Sequence, residues 1–252
     1  MLKIEVLNNG FVELVDRMGN DISILKAARV STGSEVIKGD VKDRGLIDYL
    51  YRNNHISPFA FVSFHFHFKM PIFVARQFAR HRTWDLNEAS ARYKEFEWDV
   101  WEPDEWRKQS KSNKQGSEEV FKYDDLHRIF DINLDNAYNL SRETYDNFLK
   151  ADVTREQARV VMPVGHYTEF FGHVNLRNLF HFLELRLDEH AQYEIRVYAE
   201  AILKILESLD DLKWSVEVFK KYNELKSLYL KCINKKDLDG FKEHLKKYIE
   251  GV

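Results

Sequence analysis

The sequence predicts an α+β fold, with a mainly antiparallel sheet flanked by helices in a single domain. Residues 2–7 and 11–15 alternate apolar and polar side chains on either side of Asn8-Asn9-Gly10, which is the pattern of a β-hairpin. Residues 62–70 alternate again, as expected for a longer strand with one buried face. Much of the remaining chain has apolar residues spaced by three and four, which is typical of amphipathic helices.

Composition limits the classes of protein that fit. The 252 residues are 44% hydrophobic and 31% charged, which is typical of a soluble globular protein with a sizeable core. No run of about eighteen apolar residues occurs, and polar residues come early, so we expect no membrane span, no signal peptide and a cytoplasmic location. The net charge of −3 predicts no nucleic-acid partner, so anion binding must come from local arginine clusters.

Two helices are predicted after the β-hairpin. Asn20 can cap a helix that runs to residue 30, and a second helix is expected near residues 42–52. Pro58 favours extended backbone at Ser57, which predicts the entry to the strand at residues 62–70.

The strand at residues 62–70 leads directly into another helix. Pro71 suits the first position of that helix, which carries Ile72, Phe73 and Phe78 towards a core. We expect the helix to fray near residues 84–87 and the chain to turn back as a loop.

The second half of the chain is predicted to be mainly helical. Residues 97–119 are rich in Trp, Lys, Ser and Gln and are expected to form a long surface loop. We expect one domain over residues 1–222 and a helical extension over residues 223–252. The further predicted elements are a helix at 119–150 with a stripe of Val120, Ile129, Leu140 and Phe148, a helix at 155–161 capped by Thr154, a strand at 167–174, a helix at 175–195 and two helices within 214–252.

Two pairs of side chains have a spacing that would suit a metal ion. His65 and His67 share one face of the predicted strand, and His190 and Glu194 are four apart in a predicted helix. A strand face with two histidines is more often solvated or turned towards a subunit, and a helical pair of this kind more often packs or pairs locally. We therefore expect no metal site.

Residues 77–93, which read QFARHRTWDLNEASARY, concentrate side chains that bind anions. Arg80, Arg82 and Arg92 offer planar forks of donors that match phosphate oxygens. Serine hydroxyls and backbone N–H groups can complete such a cradle. The segment predicts an anion site, with a nucleotide phosphate as the favoured ligand. The alternative is a solvated basic surface without a ligand.

The order of residues in this segment resembles the signature of the flavin-dependent thymidylate synthases. The matching positions are Arg80-His81-Arg82, Asn87-Glu88, Ser90 and Arg92-Tyr93. Asp85 departs from the pattern, because the family usually has serine there. The resemblance extends over residues 1–222, including TREQARVVMP at 154–163 and the stretch that begins at Asn175, and it implies that family's fold.

The resemblance also implies which residues bind ligands and which one acts in catalysis. The implied dUMP-binding residues are Gln77, Phe78, Ala79, Arg80, Glu88, Ala89, Ser90, Ala91, Arg92, Arg159 and Arg186. The implied FAD-binding residues are Ser57, Arg80, His81, Arg82, Glu88, Asn175, Arg177 and His181. His55 falls on the folate side, Ala60 stands where the family has a glutamate, and Arg186 is the implied catalytic residue.

The implied reaction converts dUMP to dTMP in a homotetramer with active sites between subunits. Non-covalent FAD is reduced by NADPH, and methylenetetrahydrofolate donates the one-carbon unit. Cys232 is the only cysteine and lies far along the chain from residues 77–93, which agrees with a route that needs no thiol nucleophile. No G-x-G-x-x-G or Walker motif occurs, so a Rossmann-type flavin site is not expected.

Two other functions remain open from the sequence. The chain could be a different flavoprotein that acts on another nucleotide, such as uracil within RNA. It could also be a non-enzymatic assembly or RNA-binding module that uses the arginine cluster. The visible spectrum of the purified protein separates the second alternative from any flavoprotein.

Overall fold

A computed structural model gives the fold. It describes residues 2–33, 37–93, 97–111, 116–122, 125–234, 239–240, 242–243 and 245–246. The strands are β1 (Leu2–Val6), β2 (Gly10–Met18), β3 (Ser63–Pro71), β4 (Asp85–Glu88), β5 (Arg107–Gln109), β6 (Ser117–Val120) and β7 (Tyr167–Asn175). The helices are α1 (Asp21–Arg29), α2 (Asp40–Arg52), α3 (Ile72–Phe78), α4 (Asp125–Lys150), α5 (Arg155–Ala158), α6 (Leu176–Arg186), α7 (Tyr193–Glu207) and α8 (Lys213–Asn234).

The chain divides into two compact units. The first unit comprises Met1–Asp16, His65–Val174 and Glu189–Ile202, and the second comprises Arg17–Phe64, Asn175–Asp188 and Leu203–Val252. Each unit therefore draws on segments that are far apart in the sequence. The predicted boundary between residues 222 and 223 falls inside the continuous helix α8, and the predicted domain organisation remains a prediction.

Most of a five-stranded sheet belongs to the first unit, in the order β1-β2-β3-β7-β4. The predicted hairpin is confirmed, because β1 and β2 pair antiparallel with Val6 opposite Gly10. Along β3 the side chains of Phe66, Phe68 and Met70 are fully buried, as the alternation predicted. The predicted class, helices with a mainly antiparallel sheet, is confirmed.

The second unit is built from helices. Asn20 caps α1 as predicted, because its side chain accepts a hydrogen bond from the Ser23 backbone N–H while the Ser23 hydroxyl oxygen accepts one from the Asn20 N–H. Phe180 of α6 stacks on Phe219 of α8 with ring centroids 4.6 Å apart. This apolar packing supplies most of what holds short helices in place.

Several predicted elements have different bounds in the structure. Pro71 ends β3 instead of opening α3, and a 3₁₀ turn at Ser57–Phe61 replaces the predicted strand entry. The predicted surface loop at 97–119 contains β5 and β6, which pair antiparallel, so α4 begins only at Asp125. Strands of three and four residues carry too little alternation to be detected from sequence.

The predicted helical stripe and the tail are only partly as expected. Val120 lies on β6, and Ile129 and Leu140 on α4 are 49% and 66% exposed. The predicted helix at 175–195 ends at Arg186, and the next helix starts at Tyr193. The second predicted helix of the tail lies largely outside the described residues. No helix in the described part of the chain is long and apolar enough to span a membrane.

Candidate active site

The signature segment lies in the first unit and combines a helix end, a turn and an edge strand. Helix α3 ends at Phe78, and two successive turns follow, in which the His81 N–H bonds to the Phe78 carbonyl and the Trp84 N–H to that of His81. The expected fraying near 84–87 is therefore wrong. Residues 85–88 form β4, which pairs antiparallel with β7.

Trp84 explains why an edge strand forms here. Its indole is buried and lies edge-on to Phe78, with ring centroids 4.9 Å apart, and edge-on to Phe68 at 5.8 Å. A Cβ atom on Gly172 of β7 would lie 3.1 Å from the Trp84 ring, so glycine at this position makes room for the indole. The buried indole anchors the chain at the start of β4.

The charged side chains of the signature point to solvent. Arg80, Arg82, Glu88 and Arg92 are exposed, so their charges are not buried by the fold. His81, Gln77, Ala89 and Ser90 are half-buried, Phe78 and Ala91 are buried, and Ala79 is exposed. Arg80 and Arg82 lie in turns before β4 and Arg92 lies in a turn after it, and exposed guanidinium groups of this kind can bind an anion from solvent.

Gln77 and Glu88 show how individual side chains of the signature are held. The Gln77 amide oxygen is buried and has no hydrogen-bond partner in the described part of the chain. An amide oxygen accepts hydrogen bonds, so it fits a ligand N–H group. The Glu88 carboxylate accepts a 2.7 Å hydrogen bond from the Thr168 hydroxyl.

Arg159 also lies in the first unit, but on a different element. It begins the 3₁₀ turn Arg159–Val161 after α5, is exposed, and donates from Nε to the Glu156 carbonyl at 3.3 Å. Thr154 occupies the predicted N-cap position of α5, but its side chain makes no capping hydrogen bond.

In the second unit, α6 carries three of the predicted residues, Arg177, His181 and Arg186, and a fourth, Asn175, caps it. The Asn175 side chain caps this helix by accepting a hydrogen bond from the Asn178 N–H at 3.0 Å. Arg177 and His181 are exposed and line one pocket of about 450 Å³. The other lining residues are Tyr51, Asn54, Ile56, Phe59, Asn178, Phe180 and Glu184.

Arg186 ends α6 and is half-buried. Burial lowers the pKa of its guanidinium, because desolvation disfavours the charged form. Ser57 begins the 3₁₀ turn and is exposed, and His55 is exposed with its ring edge-on to Tyr49 at 6.0 Å. None of Asn175, Arg186, Ser57 and His55 lines the pocket of Arg177 and His181.

Comparisons with known proteins decide the family. A family model described as "Thymidylate synthase complementing protein" matches residues 13–210. A flavin-dependent thymidylate synthase from Thermus thermophilus is 48% identical over 214 residues, which are 85% of this chain and 77% of that protein. One from Thermotoga neapolitana is 44% identical over 221 residues, covering 88% and 95% of the two chains. The chain belongs to the flavin-dependent thymidylate synthase family.

Solved structures agree with this family. Crystal structures of a UMP/dUMP methylase, PolB from Streptomyces cacaoi, align with a TM-score of 0.76. The complex with 5-Br dUMP is 35% identical and covers 86% of this chain and 97% of that chain. The complex with 5-Br UMP is 34% identical and covers 87% and 97%. As a flavin-dependent thymidylate synthase, the protein is an enzyme.

The pairs considered as metal ligands have other contacts. His67 Nε2 lies 3.1 Å from a Glu169 carboxylate oxygen, and its ring stacks on Phe171. The expected helical pair of His190 and Glu194 is wrong, because α7 begins only at Tyr193. In the described part of the chain, no group of three or more His, Cys, Asp or Glu residues could hold a metal ion.

A larger cavity of about 970 Å³ lies in the first unit, apart from the predicted residues. Buried Glu194 pairs there with Arg107 and accepts a 2.9 Å hydrogen bond from the Gln192 side chain. Arg107 lies over the Tyr193 ring, 5.0 Å from its centroid. These contacts tie β5 to the start of α7.

Sequence reasoning did not identify Thr168 or the aromatic wall of Tyr51, Phe59 and Phe180. Thr168 shares the buried face of β7 with Phe170, so alternation alone predicts core packing there. The aromatic residues come from α2, the 3₁₀ turn and α6, which are far apart in the chain. Only the fold brings them together.

Proposed function

We propose that this enzyme converts dUMP to dTMP, with FAD as cofactor, methylenetetrahydrofolate as one-carbon donor and NADPH as reductant. The exposed signature of the first unit, with Arg80-His81-Arg82, Asn87-Glu88, Ser90 and Arg92, carries this proposal. Membership of the family and the likeness to a methylase crystallised with 5-Br dUMP support it.

The dUMP-binding residues of the proposal lie mainly in the signature. Arg92, Ser90 and Arg159 hold the phosphate, because guanidinium and hydroxyl donors match its oxygens. Gln77 offers its buried amide oxygen, which has no partner among the described residues, to a donor of the nucleotide. The full proposed set is Gln77, Phe78, Ala79, Arg80, Glu88, Ala89, Ser90, Ala91, Arg92, Arg159 and Arg186.

The FAD-binding residues of the proposal include charged and hydrogen-bonding side chains, which suit a cofactor with a phosphate-containing tail. Arg177 and His181 provide donors on the wall of a pocket that also offers aromatic faces. When bound, FAD supplies hydride transfer, which no side chain of the protein can provide. The full proposed set is Ser57, Arg80, His81, Arg82, Glu88, Asn175, Arg177 and His181, with His55 on the folate side.

Arg186 is the proposed catalytic residue. Negative charge builds on the uracil oxygens and nitrogen as the ring reacts, and a fixed guanidinium beside them stabilises that charge most in the transition state. Partial burial strengthens this effect, because less water screens the charge.

We also propose a cytoplasmic homotetramer with active sites between subunits and no nucleic-acid or membrane partner. Exposed apolar side chains on α4 support assembly, because such patches commonly form protein interfaces. They are Leu126, Ile129, Ile132 and Leu140, which are 48% to 66% exposed. The proposed domains are residues 1–222 and a helical extension at 223–252.

A second candidate is methylation of the ribonucleotide UMP, which the UMP/dUMP methylase structures favour. The two nucleotides differ by one hydroxyl group, and a site that merely tolerates the hydroxyl discriminates weakly. An enzyme that accepts UMP as well as dUMP would therefore need no rearranged phosphate site.

The test is a visible spectrum followed by product analysis. We expect a yellow protein that releases FAD on heating and forms dTMP only when NADPH and methylenetetrahydrofolate are both present. Parallel reactions with UMP and with uracil-containing RNA identify the accepted nucleotide. A protein that fails to bind added FAD at micromolar concentration would contradict the proposal, and colourless protein that retains RNA would favour a binding module.

A further inference from the structure

We propose that Thr168 is a positioning residue that fixes the Glu88 carboxylate for ligand binding. Its hydroxyl donates to Glu88 Oε1 at 2.7 Å, across the pair of strands β4 and β7. Thr168 is only 5% exposed, whereas Glu88 is exposed. This inference rests on the proposed function, which places Glu88 against dUMP and FAD.

The backbone around Glu88 is already fixed by the edge of the sheet. Glu88 pairs with Phe170 in the β4–β7 register, and the Ala89 N–H donates to the Glu169 carbonyl at 2.8 Å. This backbone pairing does not fix the Glu88 side chain, because an exposed glutamate has three rotatable bonds and adopts many rotamers.

The Thr168 hydroxyl removes most of this freedom. A β-branched side chain has few allowed χ1 rotamers, so the donor itself is stiff. A hydroxyl bonded to an ionised carboxylate forms one of the stronger hydrogen bonds in proteins. Since Thr168 is buried, water competes poorly for its proton, and Glu88 is its acceptor.

The geometry leaves the carboxylate able to bind a ligand. A carboxylate has two oxygens and about four acceptor positions, of which Thr168 occupies one on Oε1. The remaining positions are held in a fixed direction by this contact. Loss of the hydroxyl should therefore weaken ligand binding through Glu88 while the fold persists.

The experiment compares steady-state dTMP formation by wild type and Thr168→Val, which keeps the shape but removes the hydroxyl. We expect KM for dUMP to rise about tenfold and kcat to change less than about threefold. A role in folding alone would lower the active fraction and hence kcat, with KM unchanged. Thr168→Ser keeps the donor and should restore KM, and Thr168→Ala provides a second hydroxyl deletion if the valine variant folds poorly.

A matched control variant and a double-mutant cycle test whether Thr168 acts through Glu88. Thr144→Val removes a hydroxyl that donates to the Leu140 carbonyl on α4, and KM should stay at the wild-type value. In a Glu88→Ala background, Thr168→Val should raise KM no further, because the acceptor is gone.

The outcomes separate this inference from the proposed function. An active wild type with unchanged KM in both hydroxyl deletions overturns the inference alone. An equal rise of KM in the Glu88→Ala background also overturns it, since Thr168 would then act elsewhere. A flavin-loaded wild type that forms no dTMP overturns the proposed function and this inference with it.

Discussion

A charged pair of the second unit is buried, whereas the arginines of the signature in the first unit are exposed. Arg29 and Asp43, on α1 and α2, form a 2.7 Å ion pair with side chains only 7% and 1% exposed. Arg80, Arg82 and Arg92 of the signature are exposed. The same residue type is a buried structural element in one region and a surface group in the other.

The difference shows which arginines the fold needs. Burial by itself would raise the pKa of Asp43, but hydrogen bonds from Arg29 and the Lys38 N–H lower it below its ordinary value. Each member of such a pair needs the other, since a lone buried charge is costly. Exposed arginines carry no such penalty and are available to a ligand.

The largest expected effect is the loss of stability in Arg29→Ala. Removing Arg29 leaves the Asp43 carboxylate buried without its partner, so the free energy of unfolding should fall by about 3–5 kcal/mol. Urea denaturation followed by circular dichroism measures this change. Arg29→Met combined with Asp43→Leu removes both charges and should lose less.

The matched control for Arg29 is Arg92→Ala in the signature. Its unfolding free energy should stay within about 0.5 kcal/mol of wild type, as for other exposed positions. Its dUMP affinity should fall about tenfold. Equal destabilisation by Arg29→Ala and Arg92→Ala would contradict the comparison between the two regions.

Asp21 is another buried charged residue of the second unit, and its contribution to stability depends on pH. Burial raises its pKa from 3.8 to about 6, against hydrogen bonds from the Ser215 hydroxyl and from the Trp214 and Ser215 N–H groups. The folded state therefore binds the proton more tightly than the unfolded state. The resulting stabilisation is complete below about pH 4 and is lost as pH rises through about 6.

For Asp21 this loss amounts to about 2 kcal/mol between pH 4 and pH 7. Asp21→Asn cannot ionise at this position. Between pH 4 and pH 7 its urea midpoint should therefore rise relative to that of wild type. Asp40→Asn changes an exposed carboxyl group and should follow the wild-type curve. If the urea midpoints of Asp21→Asn and wild type change in parallel between pH 4 and pH 7, Asp21 does not titrate in that range.

Arg186 lies between the two extremes, since it is half-buried and is proposed to act on the substrate. We expect Arg186→Ala and Arg186→Lys to bind FAD but to lose dTMP formation by about 10² or more, the scale of one preorganised electrostatic donor. Lysine keeps the charge but lacks the planar fork. NADPH oxidation without dUMP should survive better than dTMP formation.

The control for Arg186 is Arg52→Ala, an exposed arginine at the end of α2. It should keep wild-type rates, measured as product formation in single-turnover and steady-state reactions. If Arg186→Ala converts dUMP at the wild-type rate, the assignment of this residue is wrong.

The predictions from sequence succeeded where local pattern determines structure. The β1–β2 hairpin, the buried face of β3 and the Asn20 cap all depend on neighbouring residues. β4 escaped prediction because it is stabilised by β7, about eighty residues away, and by Trp84 packing into space left by Gly172.

The same limit applies to the site. The spelling of residues 77–93 identified the exposed signature, but exposure and hydrogen bonding depend on partners elsewhere in the chain. The Thr168 hydroxyl meets Glu88 across strands that are eighty positions apart. Arg177 and His181 share a pocket with Tyr51 and Phe59, which no spacing along the sequence could show.

The smallest expected effect is that of Cys232→Ala. Cys232 lies on α8, outside the family match at residues 13–210, and it is the only cysteine of the chain. In any assembly of identical copies, this variant therefore has no thiol at all, so every mechanism with a cysteine nucleophile is removed at once. We expect dTMP formation to change less than about tenfold, or about 1.4 kcal/mol of barrier. The measurement is the rate of dTMP formation alongside thermal unfolding, and Ser227→Ala on the same helix is the control. A larger loss with unchanged unfolding would mean that a thiol takes part in the reaction, and a hydride route would then no longer explain the chemistry.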